Sequence, residues 1–164
     1  MAYTIADKCT GCTVCAKKCP VGAISGSSKE LHVIDCTLCT NCGVCGSYCP
    51  VDCIYDEIGR QTFKIKGDRP VAVVEAEFCT GCKRCVTVCP VGCLEMTEDM
   101  SAVSNDMKAH NRLAYNARPK DCVSCKMCET VCASKYAIKV RWPNGEACES
   151  LSIGPQGIKA GVGV

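Results

Sequence analysis

The chain has 164 residues, 20 of them cysteine, with 5% aromatic residues and a formal net charge of +2. So balanced a charge gives no footprint for nucleic acid, and so few aromatic side chains cannot fill an ordinary apolar interior. The N-terminal MAYTIADKC lacks a basic segment followed by an apolar stretch, and no run of about 18 apolar residues occurs, so neither a secretory signal nor a membrane span is expected.

The chain therefore reads as soluble and cytoplasmic, where cysteines at fixed short spacing bind metal rather than one another. Export alongside a partner carrying its own signal is the alternative. A short strand is expected near Tyr3 to Ile5, followed by CTGCTVCAKKCP at residues 9–20. Its first three cysteines, each three residues after the last, let one loop wrap three corners of a compact inorganic core. A helix then starts from Cys15, and Cys19 points away from that loop. GAISG and ELHVI alternate around the polar SSK, which predicts a β-hairpin over residues 22–34. The hairpin closes the unit onto the second motif, CTNCGVCGSYCP at residues 39–50, with a helix from Cys45. IYDEI and QTFKI, joined by Gly59-Arg60, predict a further hairpin, and GDRP at residues 67–70 marks a boundary.

The second half repeats this plan with a strand in VAVVE, the motif CTGCKRCVTVCP at residues 79–90, a strand in LEMTE, the motif CVSCKMCETVCA at residues 122–133, and a strand in AIKVRW. Between the last two motifs, Val103, Met107, His110, Ala114 and Ala117 recur at steps of four and three. That spacing predicts one helix whose apolar face covers the second unit or docks a partner. His110 and His32 read as packing histidines. The tail after Trp142 is rich in Gly and Pro, and its Leu151, Ile153 and Ile158 are expected to pack on a partner subunit or a second copy; packing back on the second unit is the alternative.

CTGCTVCAKKCPVGAI followed by CTNCGVCGSYCPVDCI resembles the bacterial ferredoxin with two 4Fe-4S clusters over residues 1–66, and CTGCKRCVTVCPVGCL with CVSCKMCETVC extends the likeness to residue 141. The resemblance implies an α+β fold of two tandem ferredoxin-like units: residues 1–66, residues 67–142 with the helical insert, and a tail at 143–164 serving as an interface. In such proteins the fourth cysteine of each motif ligates the other motif's cluster. The resemblance thus implies cluster A on Cys9, Cys12, Cys15 and Cys49, and cluster B on Cys39, Cys42, Cys45 and Cys19. Cluster C falls to Cys79, Cys82, Cys85 and Cys132, and cluster D to Cys122, Cys125, Cys128 and Cys89. A nested pairing, motif one with four and two with three, is known in similar electron-transfer subunits of molybdenum enzymes and stays open. Zinc is disfavoured because four-thiolate zinc sites need neither the third close cysteine nor the Cys-Pro ending. Motif four departs by ending CAS, and its missing proline is expected to alter only how the chain leaves Cys132.

Four cysteines remain. Cys53 and Cys93 hold equivalent places in CPVDCI and CPVGCL and read as small apolar side chains beside a cluster. Cys36 reads as free, and Cys148 as a surface or packed thiol.

Four cubanes fully ligated by protein leave no position for a substrate, and no nucleophile triad, phosphate loop or carboxylate pair appears, so the chain is not expected to be an enzyme by itself. With about −2 on each oxidised cluster, the holoprotein carries about −6. Positive charge at Lys83, Arg84 and Lys126 is expected to raise the potentials of clusters C and D above those of A and B. The resemblance implies an electron-transfer subunit serving a catalytic oxidoreductase subunit, of a tungsten or molybdenum aldehyde oxidoreductase type, a formate dehydrogenase or a hydrogenase. A freely diffusing polyferredoxin is the alternative, and a redox or iron sensor is a third class without a nucleic-acid motif to support it.

Overall fold

The computed structural model describes residues 2–97, 112–149 and 151. The chain divides into two compact units, Met1–Arg69 with Val123–Cys125 and Cys148–Val164, and Pro70–Cys122 with Lys126–Ala147.

In the first unit β1 (Thr4–Ile5) pairs antiparallel with β4 (Ile54–Tyr55), Thr4 facing Tyr55. The expected hairpin between the motifs forms as β2 (Ile24–Ser25) and β3 (Val33–Ile34). Each cysteine loop runs into one short helix, α1 (Val14–Lys18) and α2 (Val44–Tyr48). The hairpin expected around Gly59 forms in short form: Tyr55 bridges Gln61, the Asp56 N–H donates to the Arg60 carbonyl at 2.9 Å and the Thr62 N–H donates to the Ile54 carbonyl at 2.8 Å. Side-chain bonds reinforce it: Gln61 Nε2 donates to the Asp52 carbonyl at 2.7 Å, and the Lys64 N–H donates to Asp52 Oδ1 at 2.7 Å.

Cysteine supplies much of what apolar side chains usually supply. The buried core of this unit is Tyr3, Cys15, Ile24, Cys45, Cys49, Cys53 and Ile54. α2 is held from outside as well. Arg69 donates to Ser47 Oγ at 3.1 Å and to the Ser47 carbonyl at 2.7 Å, with its guanidinium 3.5 Å from the centre of the Tyr48 ring. Leu151, assigned from sequence to an external partner, is buried in this unit, next to Gly43. Ile153 and Ile158 lie outside the described residues.

The second unit repeats the plan with longer strands. β5 (Val71–Val74) pairs antiparallel with β8 (Ile138–Arg141), and β6 (Leu94–Met96) with β7 (Ala114–Asn116). The helices are α3 (Arg84–Val88) and α4 (Met127–Thr130). Asn116 Nδ2 donates to the Ala72 carbonyl at 3.0 Å and joins the two sheets.

One expectation fails here. Ala114, read as part of the helical insert, lies in a strand, and the Ala117 N–H continues the pairing by donating to the Cys93 carbonyl at 2.9 Å. The edge of β6 needs a hydrogen-bonding partner, and Ala114 buried beside an exposed Tyr115 is strand alternation, which a spacing of three and four does not reveal. Val103, Met107 and His110 lie outside the described residues.

Candidate metal centres

All four cysteine loops have the same backbone. Two positions in each, the second and fourth residues after the first cysteine, are left-handed: Gly11 and Thr13, Asn41 and Gly43, Gly81 and Lys83, Ser124 and Lys126, with φ between 54° and 76°. Alternating the sign of φ turns successive N–H groups toward one side, which makes a concave nest for an anionic group such as an iron–sulfur core. The sequence reading missed a third shared left-handed position, three residues beyond the fourth cysteine: Gly22, Asp52, Gly92 and Lys135. Glycine and aspartate at three of these places were the available signal. The turn closes alike in motif four, where the Lys135 N–H reaches the Cys132 carbonyl at 3.3 Å, as Gly22 reaches Cys19 at 3.4 Å and Gly92 reaches Cys89 at 3.2 Å. The approach to that turn does differ: α4 ends at Thr130, one residue earlier than its three counterparts, and the Ser134 hydroxyl accepts from the Ala137 N–H at 3.1 Å.

Tertiary structure then brings cysteines of different motifs together. Burial pushes the Cys15 thiol up to about 11, and repulsion from Cys12, Cys9 and Cys49 adds to it, so Cys49 of motif two stands beside the motif-one trio. Burial likewise raises Cys42, with Cys19 and Cys39 adding to the shift. In the second unit a small, largely enclosed cavity is lined by Cys79, Cys82, Cys85 and Cys132 with Val74 and Ile138. Cys128 and Cys122 are buried, and Cys122 and Cys89 both add to the rise of the Cys93 thiol. Cys12 and Cys82 are exposed, and Cys125 is half-buried.

The surroundings suit thiolate sulfur. The Gly11 N–H donates to Cys9 Sγ at 3.4 Å, and the Ala23 N–H donates to Cys19 Sγ at 3.3 Å. Burial pushes Cys9 up, but the N–H groups of His32 and Gly11 and the Cys53 thiol outweigh it and hold Cys9 below its ordinary value. Cys82 is lowered by the Arg84 N–H first, with the Thr80 hydroxyl and the Arg84 charge adding to the effect against burial. Cys132 is lowered although burial opposes it, because the Ser134 hydroxyl, 3.5 Å away, and the N–H groups that follow favour the anion. Four thiols around an enclosed apolar space, with N–H groups turned toward their sulfurs, fit a 4Fe-4S core. Among the described residues, no group of three or more His, Cys, Asp or Glu is gathered as ligands of a single metal ion.

The leftover cysteines separate. Cys53 and Cys93 are buried, each with its sulfur 3.5 Å from a fourth-position cysteine, Cys49 and Cys89. Burial pushes Cys53 up to about 12 and raises Cys93 as well. Cys148 is packed inside and Cys36 is exposed. His32 is buried with Nδ1 3.0 Å from the Glu30 carbonyl, but its buried Nε2 has no hydrogen-bond partner among the described residues, so the packing histidine is satisfied at one ring nitrogen alone.

Family models agree with this geometry. A 4Fe-4S dicluster domain matches residues 78–136, and two 4Fe-4S binding domains match residues 2–25 and 37–52. The chain is a tandem 4Fe-4S ferredoxin-like protein. It binds several 4Fe-4S clusters on its cysteines and belongs with the electron-transfer iron–sulfur proteins. This ferredoxin-like chain is similar to a subunit of the ion-translocating oxidoreductase complex of Azoarcus sp. (strain BH72), with 56% identity over 62 residues, 38% of this chain and 34% of that one. The ferredoxin of Clostridium pasteurianum is 54% identical over 35 residues, 21% of this chain and 61% of that one. The match thus spans about a third of the Azoarcus protein. A chain of the formate dehydrogenase, heterodisulfide reductase and formylmethanofuran dehydrogenase complex from Methanospirillum hungatei aligns with a TM-score of 0.43 and 26% identity, over 85% of this chain and 50% of that one. Among the described residues, no helix is long and apolar enough to cross a membrane.

Proposed function

We propose that this protein relays single electrons through four 4Fe-4S clusters to or from the catalytic subunit of a low-potential oxidoreductase. The ligand sets are the crossed ones: Cys9, Cys12, Cys15 with Cys49; Cys39, Cys42, Cys45 with Cys19; Cys79, Cys82, Cys85 with Cys132; Cys122, Cys125, Cys128 with Cys89. The observation that carries this reading is the cavity whose thiols come from both motifs of the second unit, three from motif three and Cys132 from motif four. Cys49 beside Cys9, Cys12 and Cys15 supports the same pattern in the first unit.

When bound, each cluster supplies reversible one-electron transfer without an open position for substrate. The chain's own residues hold it, surround it with apolar side chains and direct N–H groups at its thiolates. Exposed Cys82, with Arg84 beside it, offers a short path from cluster to surface. A partner subunit is supported by relatives whose names place them in an oxidoreductase complex. Within that class a tungsten or molybdenum aldehyde oxidoreductase-type enzyme is the partner we propose, with formate dehydrogenase and hydrogenase as the other members. Likeness to a protein named simply ferredoxin favours a second reading, a freely diffusing carrier.

Anaerobic isolation of the native protein tests these readings together. About sixteen iron atoms per chain and comigration with a molybdenum- or tungsten-containing catalytic subunit are expected. A chain that carries its iron but runs alone, and is oxidised equally by several unrelated enzymes, would replace the subunit reading with the free carrier. Zinc in place of iron would remove both.

A further inference from the structure

The ligand sets leave two buried thiols unused, and both stand in the same relation to a cluster. Cys53 Sγ lies 3.5 Å from Cys49 Sγ, the fourth cysteine of one crossed set, and Cys9, the first of that set, adds to the rise of its thiol. Cys93 Sγ lies 3.5 Å from Cys89 Sγ, again the fourth cysteine of a set, and Cys122, the first of that set, adds to the rise of its thiol. The two are 2% and 1% exposed, so water does not compete for these contacts. Motif one has Ala23 at this position, and there Cys19 receives only a backbone N–H.

In an isolated thiol pair either sulfur can donate. Ligation removes that ambiguity, because a cysteine bound to iron is a thiolate without a proton. The hydrogen must then sit on Cys53 and Cys93 and point at ligand sulfur. Reduction adds one electron to a cluster and increases the negative charge on its sulfurs, so a donor at that sulfur favours the reduced state.

We propose that Cys53 and Cys93 are potential-setting hydrogen-bond donors, each S–H directed at the sulfur of the fourth-position cysteine, Cys49 or Cys89, and raising the reduction potential of clusters A and D respectively. This rests on the crossed ligand sets proposed above. No bond is made or broken: the cluster gains the electron, and the proton stays on the donor thiol throughout. The donors act through ligands and are positioning residues.

The test uses the full holoprotein, purified anaerobically, as Cys53→Ala, Cys53→Ser, Cys93→Ala and the double alanine variant, each followed by iron analysis and by redox titration with EPR detection. Iron is expected to stay at the wild-type value in all four. In Cys53→Ala one cluster's reduction equilibrium should fall roughly tenfold, about 59 mV for a one-electron couple. Cys93→Ala should move a different cluster by a similar factor, and the double variant should move both. Cys53→Ser should recover most of the loss, since its hydroxyl donates from the same place, which a purely space-filling role would not produce. Full iron with unmoved potentials, or serine falling as far as alanine, overturns the donor role and leaves the ligand sets standing. Loss of one cluster's iron in Cys53→Ala would make Cys53 a ligand and overturn the donor role together with the assignment of cluster A.

Discussion

Gly11 and Gly22 have nearly the same φ, +63° and +65°, yet their surroundings differ, and this gives a quantitative prediction. Any L-residue in the left-handed region costs about 1–2 kcal/mol, so both alanine variants carry that loss. At Gly22 a Cβ would meet no heavy atom within 4 Å, and the loss ends there. At Gly11 it would lie 2.4 Å from the Glu30 nitrogen and 2.5 Å from the Lys29 carbonyl carbon, both backbone atoms that cannot swing aside. The Lys29 N–H is bonded to the Gly11 carbonyl at 3.0 Å, so relief requires opening the turn against the ligand loop. Overpacking of this kind adds about 1–3 kcal/mol. For a unit of this size each kcal/mol moves the midpoint by about 4–8 °C, so Gly11→Ala should melt roughly 4–24 °C below Gly22→Ala. The assay is anaerobic heating of the holoprotein with cluster absorbance followed at one scan rate. Motif two has Asn41 at φ 54° in the equivalent position, so Gly11→Asn relieves the backbone cost but keeps the clash and should also melt below Gly22→Ala. Equal midpoints for the two alanine variants would refute the packing argument and leave only the shared backbone cost.

Crossed ligation is tested by pairs of substitutions. Cys9→Ala with Cys49→Ala should cost one cluster, about four iron atoms, because the crossed sets we propose give both residues to the same cluster; Cys39→Ala with Cys49→Ala should cost two, and the reverse pattern by iron analysis would refute crossing. Lys83→Gln with Arg84→Gln should lower the potential of the cluster held by Cys82, since Lys83 lines that cavity and the Arg84 N–H and charge favour the Cys82 anion; an unmoved potential in the redox titration removes the charge argument. Asp56, opposed by burial, is held below the ordinary carboxylate range because its Oδ1 accepts from the N–H groups of Arg60 at 2.8 Å and Ile58 at 3.1 Å and its Oδ2 accepts from the Arg60 side chain. A depressed folded-state value means that its stabilisation is complete above about pH 4 and is lost as pH falls through the folded value. Asp56→Asn should cost about 1–2 kcal/mol at neutral pH, with the difference from wild type shrinking in acid; a constant difference would show that ionisation is not involved.

Local chemistry made the ligand loops legible in sequence. Three cysteines at intervals of three can wrap a compact core only through a tight loop, and a chain with so little aromatic surface needs such a core, as Cys15, Cys45, Cys49 and Cys53 in the buried centre bear out. The hairpin of β2 and β3 was legible too, because alternation and polar turn residues act within a few neighbours. Other features depend on residues distant in sequence. Ala114 became a strand because β6 offered an unpaired edge, a demand that no helical spacing within the insert could signal. Leu151 found its place beside Gly43, more than a hundred positions earlier, because an apolar side chain goes where the folded surface leaves room to exclude water. The cysteine count and spacing thus determined what kind of centre the chain could hold. Only tertiary structure decided that Cys53 and Cys93, alike in sequence to any small buried residue, come to rest 3.5 Å from the sulfurs of Cys49 and Cys89. Hydrogen bonding is set by distances of a few ångströms in space, which spacing along the chain does not fix.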